Sequence, residues 1–204
     1  MLAHIHINKT AGQTVRAILR KSFGPAHCDL IDGLDQLANN LKWAARCYRR
    51  PKSIAGHEVR PEPLFREHFP EARYYTFLRS PQVRCISHYQ FILDRRSRYY
   101  PFPEWIEANA NFQTRELAGE PDAEKAIEVL ETTVGFVGLV ERFNESLLLW
   151  KQWAGVAGLD VRYRAVNVAR SNTVKANVLA SPRNRELIRE LNQEDEKLYR
   201  YVVE

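Results

Sequence analysis

The stretch His4-Ile5-His6-Ile7-Asn8-Lys9-Thr10-Ala11-Gly12-Gln13-Thr14 decides how this chain is read. Leu2 to Ile7 alternates as a short strand, the small-residue run from Lys9 to Gly12 reads as a turn, and Val15, Ile18 and Leu19 then recur at helical spacing. A strand, a tight turn and a helix form a cradle for phosphate. The turn aims backbone N–H groups at one point, and the helix N-terminus adds roughly half a positive charge. Lys9 brings a full charge on a flexible stem, and Thr10 and Thr14 bring hydroxyls. The stretch therefore predicts an anionic nucleotide as ligand.

The loop differs from the nucleoside-triphosphatase pattern G-x-x-x-x-G-K-[ST], in which glycine precedes lysine and a hydroxyl holds magnesium. Here Lys9-Thr10 comes first, Gly12 follows, and no acidic residue after a later apolar strand suits a magnesium partner. A second segment reinforces the first. Tyr74-Tyr75-Thr76-Phe77-Leu78 reads as a buried strand. Arg79-Ser80-Pro81 ends it, with Ser80 as helix cap and Pro81 as first helical residue. Arg79 thus leaves the carboxyl end of a strand, where open α/β sheets bind ligands, and Ser87 follows on the helix. A guanidinium fork with a hydroxyl suits a phosphate monoester.

Together, His6 to Thr14 resembles the 5′-phosphosulfate loop of sulfotransferases, and Thr76-Phe-Leu-Arg-Ser-Pro-Gln-Val-Arg-Cys-Ile-Ser-His-Tyr89 resembles their 3′-phosphate motif. The branch is the one holding heparan sulfate 2-O- and 6-O-sulfotransferases and bacterial relatives. Asn111–Gly119, Phe136–Ser146, Asn167-Val168 and Pro182–Val203 resemble later parts of that branch. Ala11 stands where the family usually has glycine, Asn8 where it often has proline, and Gln13 where a small hydroxyl residue is commoner. Alanine suits position 11 only if that residue needs no positive φ.

The resemblance implies an α/β, P-loop-like three-layer fold, with a mostly parallel central sheet flanked by helices. It implies a metal-independent sulfotransferase using 3′-phosphoadenosine 5′-phosphosulfate as co-substrate and a hydroxyl-bearing acceptor, a carbohydrate or small metabolite. Lys9, Thr10, Ala11, Gly12, Gln13 and Thr14 would hold the phosphosulfate, and Arg79 and Ser87 the 3′-phosphate. Arg170 and Lys175, in what reads as a polar loop after a strand at 161–168, are weaker candidates for the same nucleotide. Sulfuryl transfer needs in-line positioning and charge neutralisation, and Lys9 would stabilise charge on the leaving oxygen. The acceptor's proton calls for a base titrating near neutrality. His57 closes the apolar run Ser53-Ile54-Ala55-Gly56 and resembles the family's Gly-His base, with Glu58 beside it. His6 reads as packing near the cradle, His88 as structural, and His27 and His68 as loop or surface residues.

Composition fits this reading. The 204 residues suit a single domain spanning 1–204, and the net charge of +5 suits anionic ligands. No run is apolar enough to span a membrane, no secretory signal precedes the first strand, and three scattered cysteines indicate a reducing, cytoplasmic setting. Cysteine and histidine spacing offers no metal site. Two other readings compete. One is a nucleotide-dependent kinase with a degenerate loop. The other is a non-catalytic basic nucleotide- or nucleic-acid-binding protein, for which Arg95-Arg96-Ser97-Arg98-Tyr99-Tyr100 is the best segment. No nucleic-acid module is visible, and no nucleic-acid or membrane partner is expected; oligomeric state has no signature. Residues 99–122 read as an irregular Pro- and Asn-rich stretch lining the acceptor site, from which Asn111, Gln113 and Arg115 could reach substrate.

Overall fold

A computed structural model describes residues 1–30, 37–48, 51–95, 100–164 and 173–204. The chain divides into two compact units, Met1–Leu78 with Leu130–Val166, and Arg79–Val129 with Asn167–Glu204.

The first unit carries the sheet. Its five strands are β1 (Leu2–Ile5), β2 (His27–Asp29), β3 (Ser53–Gly56), β4 (Arg73–Leu78) and β5 (Val134–Leu139). They lie in the order β2-β3-β1-β4-β5, every pair parallel. The expected α/β fold with a parallel sheet flanked by helices is what the chain adopts. β1 sits in the centre, and its register places Ile5 opposite Gly56 on one side and Thr76 on the other. All loops that follow the strands therefore leave at one edge.

Alternation along each strand assigns the two faces. Leu2, Ala55, Tyr75 and Phe77 join Val15, Ile18 and Leu19 of helix α1 (Gly12–Phe23) and Trp150 of α8 (Phe143–Ala154) in one core. Tyr74 points the other way and meets Phe65 of α3 (Pro63–His68), with ring centroids 5.8 Å apart. The helix α2 (Leu37–Cys47) neighbours α3. α1 ends at Gly24, with φ 48, followed by Pro25. The strand expected at 161–168 is absent from its described part, 161–164, which is irregular; the remainder lies outside the described residues.

The second unit is helical. It contains α4 (Pro81–Arg95), α5 (Phe102–Asn109), α6 (Phe112–Ala118), most of α7 (Ala123–Thr132), α9 (Thr173–Ala180), α10 (Pro182–Leu191) and α11 (Gln193–Val203). Cys85, Ile86 and Tyr89 pack with Phe102, Trp105, Ile106, Leu187 and Ile188. Ser181 caps α10 by accepting from the Asn184 N–H at 3.3 Å, with Pro182 first in the helix. The expected irregular stretch 99–122 is instead two short helices from residue 102 onward: Pro101 stands just before α5 and Pro103 in its first turn, where proline is tolerated. Likewise Thr173-Val174-Lys175, expected in a loop, opens α9.

α6 and α11 cap one another across 83 positions of sequence. Asn111 Oδ1 accepts from the N–H groups of Glu194 and Asp195, both at 3.1 Å. Asp195 in return accepts from the N–H groups of Gln113 and Thr114 and from the Thr114 hydroxyl, at 3.1, 2.8 and 3.1 Å. Asn192 Oδ1 takes the Asn111 N–H. Each helix start thus satisfies the orphan donors of the other.

Candidate functional site

The loop from Asn8 to Ala11 joins the central strand to α1. Lys9 and Ala11 both have positive φ, 70° and 65°. The condition under which alanine suits position 11 therefore fails: Ala11 sits in the left-handed region, at φ 65 and ψ 13. Alternating left-handed residues turn successive N–H groups toward one concavity. Thr10 is fully buried and its hydroxyl donates to the Ile7 carbonyl at 2.9 Å, which closes the loop from inside. Thr14 is buried, and its N–H and that of Val15 bond the Ala11 carbonyl. Ala11 cannot cap with its side chain, so α1 begins with no side-chain cap over Gly12 and Gln13. An uncapped N-terminus behind a strained turn is a donor-rich end suited to an anion.

His57 follows β3, the strand beside β1, so it emerges next to this loop. It is half-buried, and its Nδ1 lies 2.8 Å from the His6 carbonyl oxygen. A carbonyl can only accept, so Nδ1 carries the proton and Nε2 is left as the basic atom. The His6 ring stacks on the His57 ring with centroids 4.1 Å apart and planes 21° apart. The stack continues inward through His4, 5.5 Å from His6, to Tyr75, 5.0 Å from His4. Both nitrogens of His4 are buried without a hydrogen-bond partner. Burial, then the charges of Arg16, His57 and His27, pushes His4 down to about 3. Burial, then His4, His57 and Arg16, pushes His6 down to about 2. Both rings are neutral at physiological pH. Glu58, next to His57, is buried.

His27, expected in a loop or at the surface, is instead buried on β2 between Ser53 Oγ at 2.8 Å and Asp29 Oδ1 at 3.1 Å. Burial raises the Asp29 pKa, but hydrogen bonds with His27, Arg20 and Arg16 outweigh it and hold the carboxyl well below the usual range. This cluster ties α1 to β2 through Arg16 Nε, 2.8 Å from Asp29.

In the second unit, Arg79 directly follows Leu78 at the end of β4 and is half-buried. Gln113, expected to reach substrate, is fully buried and clasps the Arg79 backbone: its Oε1 accepts from the Arg79 N–H and its Nε2 donates to the Arg79 carbonyl, both at 2.9 Å. Asn111 is likewise committed to capping α11. Arg115 and Lys175 are exposed, on α6 and α9, and Arg170 lies outside the described residues. Ser87 is half-buried on α4, one turn beyond Arg84. Sequence reasoning passed over Arg84. It is fully buried, donates through Nη2 to the Asn109 carbonyl at 3.3 Å, and lies 4.8 Å over the Phe112 ring. Its helical spacing to Ser87 was the available signal. His88 packs among Trp105 and Phe112, in keeping with a structural role.

Among the described residues no three His, Cys, Asp or Glu side chains gather as metal ligands do, and no helix is long and apolar enough to cross a membrane. No family model matches the chain, and no curated protein does. Among solved structures, the chain is similar to a sulfotransferase from Alicyclobacillus acidocaldarius, with 13% sequence identity over 93% of this chain and 94% of that one and a TM-score of 0.49.

Proposed function

We propose that this protein moves a sulfuryl group from 3′-phosphoadenosine 5′-phosphosulfate to an acceptor hydroxyl, on a carbohydrate or a small metabolite. One observation supports this reading most: an uncapped helix N-terminus with Lys9 in its loop lies beside a histidine whose tautomer is held by a backbone carbonyl. The donor supplies an activated sulfate and a 3′-phosphate. The N–H groups of Gly12 and Gln13, with Thr14 and the loop backbone at Thr10 and Ala11, would hold the phosphosulfate. The Lys9 ammonium would neutralise charge on the leaving oxygen. Nε2 of His57 would take the acceptor proton while its Nδ1–H stays on the His6 carbonyl, a geometry that keeps the ring oriented as charge develops. Arg79 and Ser87 would take the 3′-phosphate, with Lys175 and Arg170 as further cations on the nucleotide.

Two properties of the chain agree with this assignment. Arg79 has its backbone clasped by a buried amide, which fixes where its side chain starts. The strands leading to Lys9, His57 and Arg79 are neighbours in a parallel sheet, so their chains depart from the same edge.

Calorimetry with 3′-phosphoadenosine 5′-phosphate, AMP and ATP tests the proposal. The bisphosphate should bind more tightly than AMP by about tenfold or more, as a charge-assisted contact supplies. Arg79→Ala should abolish that preference while circular dichroism stays unchanged. Magnesium-dependent binding and turnover of ATP, with no preference for the 3′-phosphate, would overturn it in favour of a kinase.

A further inference from the structure

We propose that His6 is a positioning residue: its ring is the spacer that sets the His57 imidazole relative to the start of α1. The inference rests on the reading of His57 as the base. Three contacts of one residue carry it. The ring face of His6 lies against the ring of His57, 4.1 Å between centroids. Its carbonyl accepts the His57 Nδ1 proton at 2.8 Å. Its ring edge lies flush on Gly12: a Cβ built there would fall 1.8 Å from His6 Cδ2 and 1.9 Å from Nε2. Position 12 is therefore glycine because of His6, not because of its own φ, which is absent from the positive-φ residues.

The ring cannot move to escape either neighbour. It is 4% exposed, and His4 stacks behind it at 5.5 Å. A residue held between the first residue of a helix and the proposed base transmits the position of one to the other. The distance between the helix N-terminus, where an anion's charge would rest, and the nitrogen that takes the acceptor proton is thus set by one aromatic ring, its face against His57 and its edge against Gly12. Because burial keeps His6 uncharged, its face also receives a protonated His57 without repulsion. In-line transfer is sensitive to such placement, and a 1 Å error costs about 10²-fold.

The test needs no donor for two of its three arms. In nitrogen-15 spectra of the ligand-free protein, His57 should show a protonated Nδ1 and a bare Nε2; His6→Ala keeps the carbonyl but removes the ring that holds the imidazole against it, so there the two tautomers should average, while His6→Asn, which keeps a planar group, should stay nearer the parent. A double-mutant cycle reads the spacer directly: Gly12→Ala should destabilise the parent severely and the His6→Ala protein little. In turnover, His6→Ala should lower kcat about 10²-fold with the donor KM changed less than about threefold. His57 signals identical in parent and His6→Ala, an equal cost of Gly12→Ala in both backgrounds, or a loss confined to donor KM would each overturn the assignment. If the parent transfers no sulfuryl group at all, the proposed function fails, while the spectra and the cycle still decide whether His6 sets His57.

Discussion

The neutral imidazoles buried behind the loop make the protein acid-labile in a defined window. His4 and His6 titrate at about 3 and about 2 in the folded chain, against 6.5 in the unfolded one. Their folded values are lowered, so below pH 6.5 the unfolded chain binds protons that the native chain refuses. Stability must then fall as pH falls. Between pH 8 and pH 5 the linkage amounts to about 2 kcal/mol for each ring and about 4 kcal/mol for both. That is a large share of the roughly 5–15 kcal/mol that holds a domain together. The result at pH 5 scarcely depends on the folded values, since both lie far below 5. Asp29 also weakens in acid, but its lowered carboxyl acts below the unfolded value of 3.8, outside the window. Denaturant unfolding, followed by tryptophan fluorescence to which Trp150 in the sheet core, 4.9 Å from Tyr75, contributes, reads the effect at pH 8 and pH 5. His4→Phe removes one titrating ring and should recover about half of the loss. Equal stability at the two pH values, with unchanged denaturant slope, would refute the reasoning. So would a His4→Phe protein that keeps the whole acid loss.

Ala11→Gly should raise stability by about 1 kcal/mol, because glycine occupies φ 65 without a Cβ penalty; thermal unfolding checks it, and a lower midpoint counts against strain there. Asp195→Ala strips the acceptor from two N–H groups and a hydroxyl at the start of α6 and should cost about 3 kcal/mol. Hydrogen exchange at Gln113 and Thr114 should quicken in that variant, and unaltered exchange would show that the cap is dispensable. Gly138→Ala places a Cβ 2.4 Å from the Phe77 ring and should cost about 1–3 kcal/mol through overpacking, visible as a lower unfolding midpoint.

The elements that could be read from sequence are those with a strong pattern. β4 and β5 are apolar runs, α1, α7 and α8 repeat at helical spacing, and Pro81 and Pro182 mark helix starts. β2 was hidden because two of its three residues, His27 and Asp29, are polar, and their partners Ser53, Arg16 and Arg20 come from elsewhere in the chain. α5 and α6 were hidden behind prolines and asparagines that in fact start helices. The loop and His57 were legible as chemistry, since lysine, small residues and a strand-end histidine are recognisable by type. Which polar groups the fold had already engaged was not legible. Thr10 bonds Ile7 close by, but Gln113 meets Arg79 34 positions away and Asn111 meets Glu194 83 away. Nor could periodicity show that Gly12 is small for the sake of a ring on the preceding strand.

The mutual capping of α6 and α11 has a consequence for biosynthesis. When Asn111 and Thr114 are added to the growing chain, the residues that finish their hydrogen bonds are still more than eighty codons from being read. The start of α6 therefore stays frayed until Asn192 to Asp195 have cleared the exit tunnel, and a translational pause before that point would leave the helical unit open to proteases.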